Sequence, residues 1–376
     1  MNFTLAKVKE SNTDRFVLQS DNKYFSINEL LFEILSEYKI NPDYGTISSS
    51  INKKFHQNDL TSREFIENSI DQVKKMIEDS AKKSDKKTYI HNKFNILKDS
   101  AGDRVYSVLS FLFKKNLFYI AFLLLFAISF TFFFVNNIGI IESLVHFQKN
   151  FTWVNMILYY FIFFFIIFLH EIGHATASYS FGAKPKEIGF GLYFIFPVMY
   201  TNTTNAWKLD KTKRIIVNLG GIYVQLIVNL LLIVLYYFSP FKDFTLSLLI
   251  MNTASIITSF NPFFRYDGYW IFSDYFQIQN LREKSTNLVN DLMKNPHKTF
   301  IKAQKSLFIY SVANVFFWAY VYFAVGKYII LKFSSLTEII GTGNFLSFDF
   351  LKISFSMAFV LLGMLNLLKK IITLKK

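Results

Sequence analysis

Two histidines four residues apart, with a glutamate between them, close an apolar run: Phe161-Ile-Phe-Phe-Phe-Ile-Ile-Phe-Leu-His170-Glu171-Ile172-Gly173-His174. Positions i and i+4 share one helix face, about one turn apart. Neutral imidazoles so placed can both bind one Zn²⁺, and Glu171 can reach a water on that metal. Ordinary surface histidines do not belong among Phe, Ile and Leu. Ionisable groups inside a membrane span are costly enough to be functional candidates by default.

A second charged motif follows: Asn261-Pro262-Phe-Phe-Arg265-Tyr-Asp267-Gly268-Tyr-Trp270. Pro262 removes a backbone donor and disfavours helix at Asn261. Broken backbone at membrane depth is tolerated only where it lines a protein-enclosed or wet cavity. An Asp267 bound to nothing at such a break would be costly. Its alternatives are a salt bridge with Arg265, a solvated interfacial position, or a metal. A catalytic zinc takes three protein ligands and a water, and His170, His174 and Asp267 form such a set. Glu171 is then the base that takes a proton from the water and passes it to a leaving amine. Asn261 is expected to steady a substrate backbone or oxyanion, or else to satisfy backbone groups freed by the proline.

The elements that must position these residues are mostly apolar. The 376 residues are 52% hydrophobic and 19% aromatic, with 46 Phe, which suits a polytopic membrane protein. With no cysteine, disulfides and thiolate metal sites are excluded, and a metal must use His, Asp or Glu. The formal charge is +14. Its lysines cluster beside apolar runs, which favours an anionic cytoplasmic leaflet and argues against nucleic acid. No charged n-region followed by an apolar h-region opens the chain, so no cleavable signal is expected.

About six apolar segments are long enough to span a bilayer, at approximately 116–138, 152–180, 215–238, 244–272, 307–331 and 350–368. Lysine and arginine concentrate in alternate loops, 181–214 and 277–306, and in the tail from Lys369. The positive-inside rule therefore puts both termini in the cytoplasm of a bacterial cell. His170 then lies roughly 28 Å along its span, near the cytoplasmic face of the inner membrane. The end of the fourth span, with Asp267, reaches the same depth. Between the second and third spans, Phe190, Leu192, Phe194 and Phe196 alternate with Gly189, Gly191, Tyr193 and Ile195. Period two bounded by Pro185 and Pro197 predicts a strand, which can pack on the bundle or offer an edge to an extended substrate. In the third span, Gly220-Gly221 permits close helix approach, and Gln225 and Asn229 can bond across helices. His56, His91, His146 and His297 have no partner at ligand spacing and are read as surface residues.

Residues 1–78 predict a small cytoplasmic α+β domain. Arg15–Gln19 and Lys23–Ile27 read as strands around Ser20-Asp21-Asn22. Asn28 caps a helix to Tyr38, 46–55 is a weaker helix, and Thr61-Ser-Arg-Glu64 is a capping box opening a third. Residues 79–115 read as a basic juxtamembrane linker, 116–275 as the core holding the site, 276–306 as a basic cytoplasmic loop, and 307–376 as two further spans and a basic tail. The fold class is thus mainly α, with a short membrane-associated β region and the N-terminal α+β domain.

HEIGH inside a membrane span, the apolar strand region, the Gly-Gly span and the Asn-Pro…Asp-Gly motif resemble the site-2 protease family of intramembrane zinc metalloproteases, over roughly residues 115–275. That resemblance implies zinc on His170, His174 and Asp267, and Glu171 as base. The family separates the Asn from the Pro by two residues, whereas Asn261 and Pro262 are adjacent. The departure bears on the role of Asn261 and leaves the ligands untouched. Asn-Pro-Phe-Phe-Arg-Tyr-Asp-Gly-Tyr-Trp is more similar to the bacterial peptide zinc metalloprotease branch, associated with peptide modification or export. Asn22-Lys-Tyr-Phe-Ser-Ile-Asn-Glu and the element order before it resemble the winged-helix peptide-binding domain of the pyrroloquinoline quinone biosynthesis chaperone. That likeness implies a leader peptide adding as a strand at the hairpin edge. The expected substrate is a peptide or membrane protein, with a peptide exporter or modification enzyme as partner. The alternative is an export scaffold without proteolytic activity, against which the intact Glu171 argues.

Overall fold

A computed structural model of the chain describes residues 3–9, 14–20, 23–56, 61–84, 90–136, 153–193, 196–294 and 304–333, with a few positions beyond 338. They fall into two compact units, Met1–Gln277 and Ile278–Lys376, and the residues singled out for chemistry all lie in the first. His146, His297, residues 137–152 and the lysines from Lys369 lie outside the described residues, as does most of 350–368.

The first unit begins with an antiparallel meander of β1 (Thr4–Val8), β2 (Arg15–Ser20) and β3 (Lys23–Ile27). Asn28 caps α1 (Glu29–Ile40), its side chain accepting the Leu31 amide at 2.8 Å. Next come α2 (Tyr44–Lys54) and α3 (Arg63–Ser84). Ile34, Ile47, Ile51, Ile66 and Ile70 form the core between the helices, while Leu18, Leu35 and Val73 tie helices to sheet. The capping box is offset by one residue. Thr61 is buried, with its hydroxyl 2.9 Å from Asn52 Oδ1, so Ser62 caps α3 by accepting the Phe65 amide at 3.1 Å.

The expected basic linker carries structure. After α3 come β4 (Ile90–Lys98) and α4 (Asp99–Leu109). β4 pairs antiparallel with β5 (Glu187–Tyr193), which pairs with β6 (Phe196–Thr201). The single strand expected over 187–200 is therefore a hairpin in a three-stranded sheet. Gly189 makes room for the Tyr200 ring across it, where a Cβ would come within 2.6 Å of that ring.

The bundle consists of α5 (Lys115–Val135), α6 (Trp153–Ser180), α7 (Lys211–Phe238), α8 (Lys242–Ser259) and the short α9 (Asp267–Tyr275). The second unit holds α10 (Leu281–Lys294) and α11 (Lys305–Leu331). Among the described residues, four helices are long and apolar enough to cross a membrane, at 116–135, 157–180, 211–238 and 305–331. Of the six expected spans, one, 350–368, lies mostly outside the described residues. The predicted fourth span, 244–272, is α8, a break, and α9. α8 buries the polar side chains of Thr245, Ser247 and Asn252 within the bundle.

The bundle is apolar outside and partly polar inside. Ile120, Leu123 and Phe134 of α5, Phe161 and Phe165 of α6, and Leu231 and Leu235 of α7 are exposed. Gln225, Asn229 and Asn252 are fully buried. That pattern suits a hydrocarbon solvent, where the amides must find partners within the protein.

Candidate metal centre

α6 and α7 cross at two glycines. A Cβ on Gly173 would overlap the Gly220 carbonyl, and one on Gly220 would come within 2.7 Å of the Gly173 carbonyl. Only glycine at both positions lets the backbones meet this closely. The approach brings the His170 ring against Gly221, where a Cβ would again overlap it.

Each imidazole is held from behind. His174 Nδ1 lies 2.8 Å from the Val217 carbonyl, which can only accept, so Nδ1 carries the proton. His170 Nδ1 lies 2.9 Å from Gln225 Oε1. The Gln225 amide nitrogen in turn donates to Asn252 Oδ1 at 3.0 Å and Ser255 Oγ at 3.1 Å. Asn252 donates to Asn229 Oδ1 at 2.7 Å. This buried amide chain across α7 and α8 makes Gln225 the acceptor and fixes the His170 tautomer. Both Nε2 atoms therefore present lone pairs.

Asp267 opens α9 opposite them. Its Oδ2 is 3.2 Å from His170 Nε2, and its Oδ1 is 3.2 Å from His174 Nε2. The preceding break is shaped by Asn261, whose Oδ1 accepts the Phe263 amide at 2.8 Å, and by Gly268, where a Cβ would overlap the Phe260 carbonyl. The far end of α9 is tied to α7: Arg214 Nε donates to Asp274 Oδ1 at 2.7 Å, and Asn218 Nδ2 donates to Asp274 Oδ2 at 2.9 Å. Burial raises the Asp274 carboxyl above its usual pKa, against the pull of Arg214 and Asn218. Glu171 is partly exposed beside the buried histidines, and its backbone carbonyl accepts the Thr201 hydroxyl of β6 at 2.9 Å.

His170, His174 and Asp267 are the one group of metal-binding donors found together among the described residues, with ligand atoms all within 4.8 Å of one another. The donor set fits zinc. The Nε2 atoms are 3.0 Å apart and each is 3.2 Å from a carboxylate oxygen. Ligands at ordinary Zn–N and Zn–O lengths in a tetrahedron stand about 3.3 Å apart. Two imidazole lone pairs and a carboxylate converging in a buried place repel one another unless a cation or proton lies between them.

Of the residues read from sequence, His170, His174 and Asp267 come together, Glu171 stands at their edge, and Asn261 has its oxygen in the turn. Arg265 is exposed, and the carboxylate oxygens of Asp267 face the histidines. The reading missed the Arg214–Asp274 tie. Its signals were spacing: Arg214 and Asn218 are i and i+4 on α7, and Asp274 is two turns beyond Asp267.

Residues 158–372 match Peptidase family M50, the site-2 protease family, and the chain belongs to that family of membrane zinc metalloproteases. Over 137 residues it is 25% identical to the Bacillus subtilis (strain 168) protein named "Putative peptide zinc metalloprotease protein YydH". That stretch is 36% of this chain, which spans about half, 53%, of the length of this curated relative. No solved structure matches the chain.

Proposed function

We propose that the chain is an intramembrane zinc endopeptidase that hydrolyses a peptide bond in a membrane-associated or leader-bearing peptide. The observation that carries this reading is the convergence of two oriented Nε2 lone pairs and one carboxylate, with a spare glutamate beside them. His170, His174 and Asp267 would hold the metal. Bound there, zinc would polarise a scissile carbonyl and lower the pKa of a water towards neutrality. Glu171 accepts that water's proton on its carboxylate and returns it to the leaving amine nitrogen. Asn261 enters through its amide nitrogen, because its oxygen is committed to the Phe263 amide.

Connectivity supports a site near one face of the membrane. β4 precedes α5 and pairs with β5, which follows α6, so these two helices carry the chain out and back. α7 and α8 do the same, since Gln225 meets Asn252 and the break after α8 returns to His170. The lysine pattern assigns that face to the bacterial cytoplasm, with both termini there. Recruitment of a leader peptide falls to the N-terminal domain, where β3 ends the sheet and can take an added strand. A peptide exporter or modifying enzyme would then be its working partner.

A Glu171→Gln variant tests the reading. It keeps zinc and loses cleavage of the cognate peptide. Retention of full biological activity would sink the protease assignment in favour of an export scaffold. Deleting residues 1–80 abolishes cleavage of a leader-bearing peptide and spares a generic one; equal effects on both would count against leader recognition.

A further inference from the structure

One backbone carbonyl receives two arginines. Leu209 O accepts Arg15 Nη2 of β2 at 2.8 Å and Arg214 Nη1 of α7 at 2.9 Å. Arg15 Nη2 also bonds the Trp207 carbonyl at 2.9 Å. Nearby, the Tyr24 hydroxyl of β3 donates to Asn205 Oδ1 at 2.8 Å, and the Lys208 ammonium stands 6.0 Å over the Tyr24 ring. The N-terminal domain thus grips residues 205–209. That segment is a single 3-10 turn, Thr204–Lys208, with short-range bonds of its own such as Leu209 N to Ala206 O. It depends on outside partners for its place.

The gripped turn leads to the metal site in two steps. The Trp207 ring lies 5.8 Å from the Arg214 guanidinium, and Arg214 holds Asp274. Asp274 and Asp267 are on the same nine-residue helix, α9, so a shift at one end displaces the other. The turn also forms a wall of a cavity of about 490 Å³, lined besides by Tyr200, Asn218, Trp270 and Asp274.

We propose that Arg15 is a positioning residue for the metal site: docking of the N-terminal domain through it sets α9, and with α9 the place of Asp267. This rests on the zinc reading above. By reciprocity, metal binding tightens the docking. A peptide added at the edge of β3, beside Tyr24, acts on the same turn.

The test is zinc affinity of the full-length protein in nanodiscs, by chelator competition, together with backbone amide exchange. Arg15→Ala weakens zinc binding about fivefold or more and speeds exchange at 204–209 and 267–275, while α1–α3 stay protected. Arg15→Lys restores affinity to within about twofold of the parent, because a single nitrogen makes both carbonyl bonds and an ammonium can replace it. Tyr24→Phe falls between. A role confined to folding of the N-terminal domain would expose α1–α3 in Arg15→Ala; that result overturns the proposal. So does faster exchange at 204–209 with unchanged zinc affinity and unchanged exchange at 267–275. If the parent itself binds no zinc, the proposed function falls, and exchange at 267–275 in Arg15→Ala still decides this inference.

Discussion

The His170 ring lies so close to Gly221 that a Cβ there would overlap its Nε2. The glycine therefore makes room for the imidazole and is not needed for the turn of the helix. Gly221→Ala must push the ring aside or part α6 from α7, at a cost of about 1–3 kcal/mol in packing. Zinc affinity should fall at least about tenfold, the scale seen when support for a metal ligand is disturbed. Gly326, in the last third of α11, has open space around its would-be Cβ. Gly326→Ala should leave zinc binding alone, and helix propensity favours the change by up to about 1 kcal/mol. Equal zinc affinity in both variants would refute the steric argument.

Gln225 supports the same ring from the other side. Gln225→Leu removes the acceptor for His170 Nδ1 and strands Asn252 Oδ1, both buried. The imidazole is then free to take its other tautomer, with a proton on Nε2 where the lone pair should be. Zinc affinity should drop about 10–100-fold, and the melting temperature should fall too, since an unsatisfied buried amide costs roughly 1–3 kcal/mol. A chelator titration and a melt of the same preparation separate the two effects. A variant that melts lower but binds zinc as before would show that Val217 and Gly221 orient the site without Gln225.

Much of this was legible from the chain because the chemistry is local in sequence. His170, Glu171 and His174 are fixed by helix period, and Gly220-Gly221 announces a close crossing. Asp267 could be linked to them only by depth, which topology supplied. What stayed hidden depends on distant partners. β4 is rich in Lys and Asn, and its partner β5 lies some ninety residues on, past two apolar helices. α8 looked like half of a longer span because apolar residues resume after Pro262; the chain instead turns at Asn261 and resumes helix only at Asp267. Arg15 read as one more strand residue, since nothing near it in sequence names the Leu209 carbonyl.

Metal removal follows from the spacing of the three donors. With His170 Nε2 and His174 Nε2 3.0 Å apart and Asp267 3.2 Å from each, the apo site holds facing lone pairs in a buried place. Stripping zinc should therefore loosen the crossing of α6 and α7 as well as end cleavage. A ligand held at a hundred times its Kd stabilises the folded state by about 2.7 kcal/mol. For a chain of this length that is a rise in melting temperature of roughly 3 °C. Zinc restored to the stripped protein should recover the shift, and Glu171→Gln should show it undiminished, because the proposed ligand set does not include the glutamate. His170→Ala and Asp267→Ala should show none of it. A shift that survives in either of those variants would place the metal elsewhere in the molecule.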